Sequence, residues 1–330
     1  MNRRQFLGAA VASPFIIPSI ARAAELTLRF ASFATDASSW GRAQAKFKDE
    51  LENRSGKRIE VAIFNNNTLG SNREVLELAR RGSVDLVLTG VSHATRNVPQ
   101  LNALIFPYLF KDRATMFGVL DGNVGKKLDS LMLAQNLSAA GWWDNGFRHV
   151  SNSKRPIMAP GDIQGLKLRT LPTPVHVEFF KKIGAIPTPM DFSELISALR
   201  QGVIDGQENP VAVMGSFRMY EVQKFYSLTA HANEPMVVVA SEQSLKKIPA
   251  NLMNAFREAM AEATKFQRTV NAQEEEQTME LLKKNMQVNN VPAETLKAYR
   301  DAAQSVYAPA IAQLGPDGEG LVADIVKANS

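Results

Sequence analysis

Two stretches of this chain, 120 positions apart, repeat one pattern. Residues 74–86 read EVLELARRGSVDL and residues 194–206 read ELISALRQGVIDG. At that offset Glu74 matches Glu194, Arg80 matches Arg200, Gly82 matches Gly202 and Asp85 matches Asp205. Each copy reads as a helix ended by glycine, then a short strand opening on a β-branched residue and Asp. Ser71 with Glu74 offers a capping box, and Asp191 with Glu194 repeats the idea. Two unrelated helix–glycine–strand units would also give this pattern. If the echo instead marks two α/β lobes of similar build, the strand ends near Thr89 and Asn209 face one shared cleft. Ligands of such sheets bind outside the carboxyl ends of the strands.

The flanking segments extend the same grammar. Leu26, Leu28 and Phe30 alternate as in a half-buried strand. Trp40, Ala43, Phe47 and Leu51 follow at helical spacing, with Gly56 just past the end. Ile59, Val61 and Ile63 alternate again, a helix runs from Ser71 to about Arg81, and residues 84–88 read as a buried strand. Strand, helix, strand, helix, strand predicts a parallel sheet covered by helices. In the second half, 166–169 reads as a strand, Pro174 to Ile183 as a helix and 233–240 as a strand. A helical stretch then runs from about 249 to 286, with Leu252, Phe256, Met260, Ala263, Phe266 and Val270 as its early stripe. Unbroken, it would exceed ~50 Å at 1.5 Å per residue, so it can run along both lobes. A further helix is expected over 293–304.

Composition excludes several functions. The chain has 330 residues and no cysteine, so disulfides, zinc ribbons, iron–sulfur clusters and thiol nucleophiles are ruled out. His93, His149, His176 and His231 include no i, i+4 pair, so neither a metal nor a cofactor is expected. The first 23 residues, MNRRQFLGAAVASPFIIPSIARA, carry three arginines and no acid. Without them 35 basic residues face 33 acidic ones, which gives no footprint for nucleic acid. Their basic, apolar and small-residue order is that of an export signal cleaved after Ala23. Arg3-Arg4 resembles the twin-arginine type. Pro14 and Pro18 break the apolar stretch, which is too short to span a membrane. The mature chain is therefore expected free in the periplasm, with no stable membrane insertion. Neither GxSxG nor HExxH occurs, and Asp205 and Glu208 sit on one strand facing different ways. An enzyme is not expected.

Five separated blocks then carry a resemblance. TLGSNREVLELARRGSVDLVLTG (68–90), GWWDNGFRHVSN (141–152), GLKLRT (165–170), the run from PVHVEFF to LRQG (174–202) and VIDGQENP (203–210) resemble the DctP-type solute-binding receptors of tripartite ATP-independent periplasmic (TRAP) transporters. The resemblance covers essentially the whole mature chain. It implies an α/β, two-lobed periplasmic binding protein fold with a hinge and a long helix crossing both lobes. Lobe I would take 24–147 plus about 235–275, and lobe II 148–234 plus about 276–330. It also implies a small carboxylate ligand and two membrane partners, the small and large TRAP subunits. Carried over position by position, Arg169 would pair with the ligand carboxylate, Arg148 would lie on the same ligand, Asn209 would help hold the carboxylate and Phe192 would pack on the ligand. Arginine suits the task because its planar fork meets a carboxylate with two charge-assisted hydrogen bonds.

Departures bear on the ligand. The loop Thr89-Gly90-Val91 lacks the acid that sialic-acid receptors carry there, Phe33 stands where relatives can be polar, and Ile196 replaces a frequent Tyr. The pocket is expected to be less polar than a sugar-acid site, with Asn72 and Glu74 left to bind hydroxyls. His231 is expected near the cleft as a hydrogen-bonded interdomain histidine. The sequence leaves open a partner of another kind, an ABC importer or a sensor.

Overall fold

The computed structural model describes residues 24–329; the expected export signal lies outside the described residues. The chain begins with β1 (Leu26–Ser32), α1 (Ser39–Arg54), β2 (Ile59–Phe64), α2 (Asn72–Arg80), β3 (Leu86–Gly90) and α3 (Val91–Ala94). It continues through a 3-10 turn at Pro99–Ile105 to α4 (Arg113–Asp121), α5 (Asn123–Leu133), β4 (Leu137–Trp143) and β5 (Phe147–Asn152). Next come β6 (Lys167–Arg169), α6 (Pro174–Lys182), β7 (Ile186–Pro187), α7 (Phe192–Arg200), β8 (Gly206–Pro210) and α8 (Val211–Ser216). The last part holds β9 (Phe225–Asn233), β10 (Met236–Ser241), α9 (Glu242–Leu245), α10 (Met253–Asn285), β11 (Gln287–Asn290), α11 (Ala293–Ala312) and α12 (Gly318–Ala328).

Two sheets result. One has the order β2-β1-β3-β10-β4 and the other β11-β9-β5-β8-β6-β7. Read from the other end, the second repeats the first, β7-β6-β8-β5-β9, with β11 added at the edge. In both, the first three strands are parallel, the fourth runs antiparallel to them and the fifth antiparallel to the fourth.

The sequence echo falls on equivalent places. Gly82 and Gly202 end α2 and α7 with φ of 71° and 68°, a conformation glycine adopts without penalty. The N–H of Arg29 donates to Asp85 Oδ2 (2.7 Å), and the N–H of Lys167 to Asp205 Oδ2 (2.9 Å). In return Asp85 N–H donates to Arg29 O (3.1 Å) and Asp205 N–H to Lys167 O (2.8 Å). Each Asp thus pins the chain just before the strand, which starts two residues later than the sequence suggests. The caps differ. Ser71 and Glu74 form the expected capping box, but Asp191 accepts from Ser193 N–H and Glu194 does not reciprocate.

One further correction concerns a strand. Residues 233–240 are not one strand: β9 ends at Asn233, residues 234–235 cross between the sheets, and β10 starts at Met236. Pro235 has no N–H for a ladder. The chain also crosses at 144–146, between β4 and β5.

The third crossing is α10, 33 residues long. Its first half buries Phe256, Ala259, Met260 and Ala263 against α1 and β4, and its far end meets α8 and β11. The apolar stripe stops where the helix passes the 144–146 crossing, and buried Gln267 and Asn271 replace it. Gln267 accepts from Asp144 N–H (2.7 Å) and donates to Asp144 O (2.9 Å). Asn271 donates to Asp144 Oδ2 (2.8 Å) and accepts from Ser39 (2.8 Å). α11 packs on α6, whereas α12 returns to α4, α5 and the 99–105 turn. The last residues, assigned from sequence to lobe II, therefore lie against the first sheet's helices.

Candidate functional site

The carboxyl ends of β3 and β8, the two strands of the repeat, open on one cavity of about 30 Å³. That is far below the usual ligand pocket, so the lobes must part to admit an organic acid. Its wall takes residues from both sheets and from both crossing segments.

Arg169, the last residue of β6, is fully buried. Its Nε and Nη2 donate to Met190 O (3.1 and 3.0 Å). Among the described residues it has no carboxylate within ion-pairing distance. Burial pushes its pKa down to about 10, only partly offset by Glu208. Two N–H groups on Nη1 and one on Nη2 remain for a partner in the cavity. A buried, uncompensated guanidinium is costly, and an anion arriving in the cavity would relieve that cost.

Arg148, on β5, also reaches the wall, but its charge is committed. It forms a bidentate pair with Glu208, donates to Glu208 O (2.6 Å) and pairs with Glu234 Oε2 (2.9 Å). Burial opposes the charge of Glu208, yet Arg148 and His231 outweigh it and hold the carboxyl well below the usual range. Burial likewise works against the Arg148 proton, and the two glutamates more than restore it. His231 bonds Glu208 through Nε2 (3.1 Å) and Thr229 through Nδ1 (2.8 Å), so it is a fully hydrogen-bonded buried histidine behind the wall. His176, Glu208 and His231 bring ligand-type atoms within 4.8 Å of one another. The guanidinium and the His231 ring already occupy Glu208, and a cation there would lie beside Arg148.

Asn209, near the end of β8, lines the cavity and donates to Gln207. Asn72 lines it too, accepting from Thr89 Oγ1 (3.0 Å). Phe33 and Phe192 meet over the cavity at 5.5 Å between ring centroids. Phe217 completes the cluster, 4.8 Å from Phe192 and 6.0 Å from Phe33. Phe33 follows β1 of the first sheet, while the other two rings belong to the second, so the cluster joins the lobes.

Glu74 is a correction. It does not reach the cavity: its carboxylate is spent on the α2 cap, accepting from Ser71 N–H (2.8 Å) and Ser71 Oγ (2.9 Å), and those bonds hold its carboxyl below the usual range. Conversely, sequence reasoning missed His93, Asn145 and Glu234 on the wall. His93 Nδ1 and Asn145 Oδ1 are buried without a hydrogen-bond partner among the described residues. Burial lowers the His93 pKa to about 4, so its ring is neutral at pH 7. Asn145 lay within a quoted block, but only the fold turns it inward. The pocket is thus more polar than the sequence suggests.

Two lobes of matching topology around a small polar cavity with a free guanidinium define a solute-binding receptor. The sequence pattern of the DctP family, described as bacterial extracellular solute-binding protein family 7, matches residues 30–313, and the chain belongs to that family. A solute-binding protein of Verminephrobacter eiseniae is 39% identical over 74% of this chain and 73% of its own length. The 2,3-diketo-L-gulonate-binding periplasmic protein YiaO of Escherichia coli is 34% identical over 78% of each chain. A TRAP periplasmic solute-binding protein of Polaromonas sp. JS666, solved bound to D-erythronate, superposes with a TM-score of 0.87 at 34% identity, covering 92% of this chain and 99% of that one. No helix among the described residues is long and apolar enough to cross a membrane.

Proposed function

We propose that this protein is the periplasmic receptor of a TRAP transporter: it binds a small organic acid between its lobes and delivers it to the small and large membrane subunits. The ligand carboxylate pairs with the open edge of Arg169, Asn209 supports it, and Phe33 and Phe192 cover the body of the acid. The observation that carries this reading is Arg169 itself, buried at the cavity wall with the Met190 carbonyl as its one hydrogen-bond partner among the described residues. The acids named for the Escherichia coli and Polaromonas relatives, both hydroxylated carboxylic acids, support the same class of ligand. The periplasm follows from the export signal expected over 1–23.

A thermal-shift screen of the mature chain against carboxylic acids tests the proposal. Ligand that binds only the native state adds RT ln(1 + [L]/Kd), about 2.7 kcal/mol at a hundredfold excess over Kd. Hits confined to acids support it; hits confined to amines or neutral sugars contradict it. Arg169→Lys keeps the charge but loses the fork. At ~1.5–3 kcal/mol per charged hydrogen bond, titration calorimetry should show binding weakened about a hundredfold, and unchanged affinity would remove Arg169 from the site.

A further inference from the structure

We propose that Glu234 restricts the cavity to acids with a single carboxylate, because its own charge occupies the ground a second carboxylate would need. The inference rests on the reading of Arg169 as the carboxylate anchor.

Glu234 stands on the 234–235 crossing, buried, with its carboxylate on the cavity wall. Oε2 takes Arg148 Nη1 (2.9 Å) and Oε1 accepts from Ser92 N–H (3.0 Å). Gly90 makes room for it: a Cβ there would lie 2.6 Å from Oε1. Of the three charged side chains on the wall, Arg148 already faces two carboxylates, Glu234 is one of those two, and Arg169 alone lacks a counter-ion. One ligand carboxylate satisfies Arg169. A second would enter a desolvated space with Glu234 beside it and no free cation, where like charges repel strongly. A hydroxyl meets the opposite welcome. Glu234 can accept from it, and His93 Nδ1 and Asn145 Oδ1 stand without partners among the described residues. The substrate class that follows is the small hydroxylated monocarboxylic acid.

Calorimetric titration with matched pairs of acids tests this: D-erythronate against meso-tartrate, and D-galactonate against galactarate. The parent protein should prefer the monoacid of a pair at least a hundredfold. Glu234→Gln, which can still accept from Ser92 N–H, should shrink that preference at least tenfold. Independently of any variant, converting one carboxylate of the diacid to its amide should restore binding to the parent. Equal affinity of the parent for both members of a pair, an unchanged ratio in Glu234→Gln, or an amide that binds no better than its diacid would each overturn the role of Glu234. If the parent binds no carboxylic acid at all, the Arg169 reading falls first, and this one with it.

Discussion

Arg148 shows how a residue can belong to a site without being free to serve it. Sequence resemblance put it on the ligand; the structure surrounds it with Glu208 and Glu234. Its removal should therefore act first on stability. Arg148→Met leaves two buried carboxylates without their cation, and breaking such a pair costs about 3–5 kcal/mol. Urea unfolding should show a loss of that size; a loss under 1 kcal/mol would mean that the glutamates find other partners. The histidines give a second residue-scale prediction. Burial lowers His93 and His176 to about 4 and His149 to about 3, all from an ordinary value near 6.5. Between pH 6.5 and those lower values the unfolded chain binds protons that the native chain refuses. Stability then falls with falling pH, by about 1.4 kcal/mol per pH unit for each such histidine. Unfolding midpoints at pH 7, 6 and 5 should drop progressively, and a flat profile would contradict the neutral buried rings. Arg169, Asn209 and Phe192 were placed near the cleft by the family resemblance, and Asn72 and Phe33 by comparison with it; all five line the cavity. Glu74 was misplaced although its capping box was read correctly, since one carboxylate cannot serve both the cap and a ligand.

Among the elements, the repeat was the most legible feature because its signals are local: a cap, a glycine and an Asp that ties strand to strand. The antiparallel strands β4, β5 and β9 were not, because they lack clean alternation. β5 (FRHVSN) buries Arg148, His149, Ser151 and Asn152, and its logic lies in partners far along the chain. The long helix was read from its early stripe, but its polar middle makes sense only beside the crossing at Asp144. Gln267→Leu should leave the Asp144 N–H unpaired in a buried place, while the Asp144 C=O keeps the Trp40 indole N–H (2.9 Å), at a cost of about 1–3 kcal/mol for the orphaned donor. Chemical denaturation should show the loss. Parental stability would mean that the Gln267 bonds do not anchor the helix to the crossing.

For the whole molecule, the order of strands and the chain crossings decide what the cavity can do. Its wall is divided between two lobes joined by 144–146, 234–235, α10 and the 313–317 return from α11 to α12, so closing them assembles the site and opening them dismantles it. Glu234 escaped the sequence reading for this reason: its position depends on where the chain passes between sheets. The α12 return to the first lobe escaped it too, since no local signal says which lobe a terminal helix covers. The central claim is that one desolvated carboxylate on Arg169 holds the lobes together over the ligand. Small-angle scattering of the parent and of Arg169→Lys, each with and without a saturating concentration of the acid that binds the parent, tests it most directly. The radius of gyration should shrink with ligand in the parent and stay unchanged in Arg169→Lys at the same concentration. An equal contraction in both proteins, or none in the parent with its ligand bound, would contradict it.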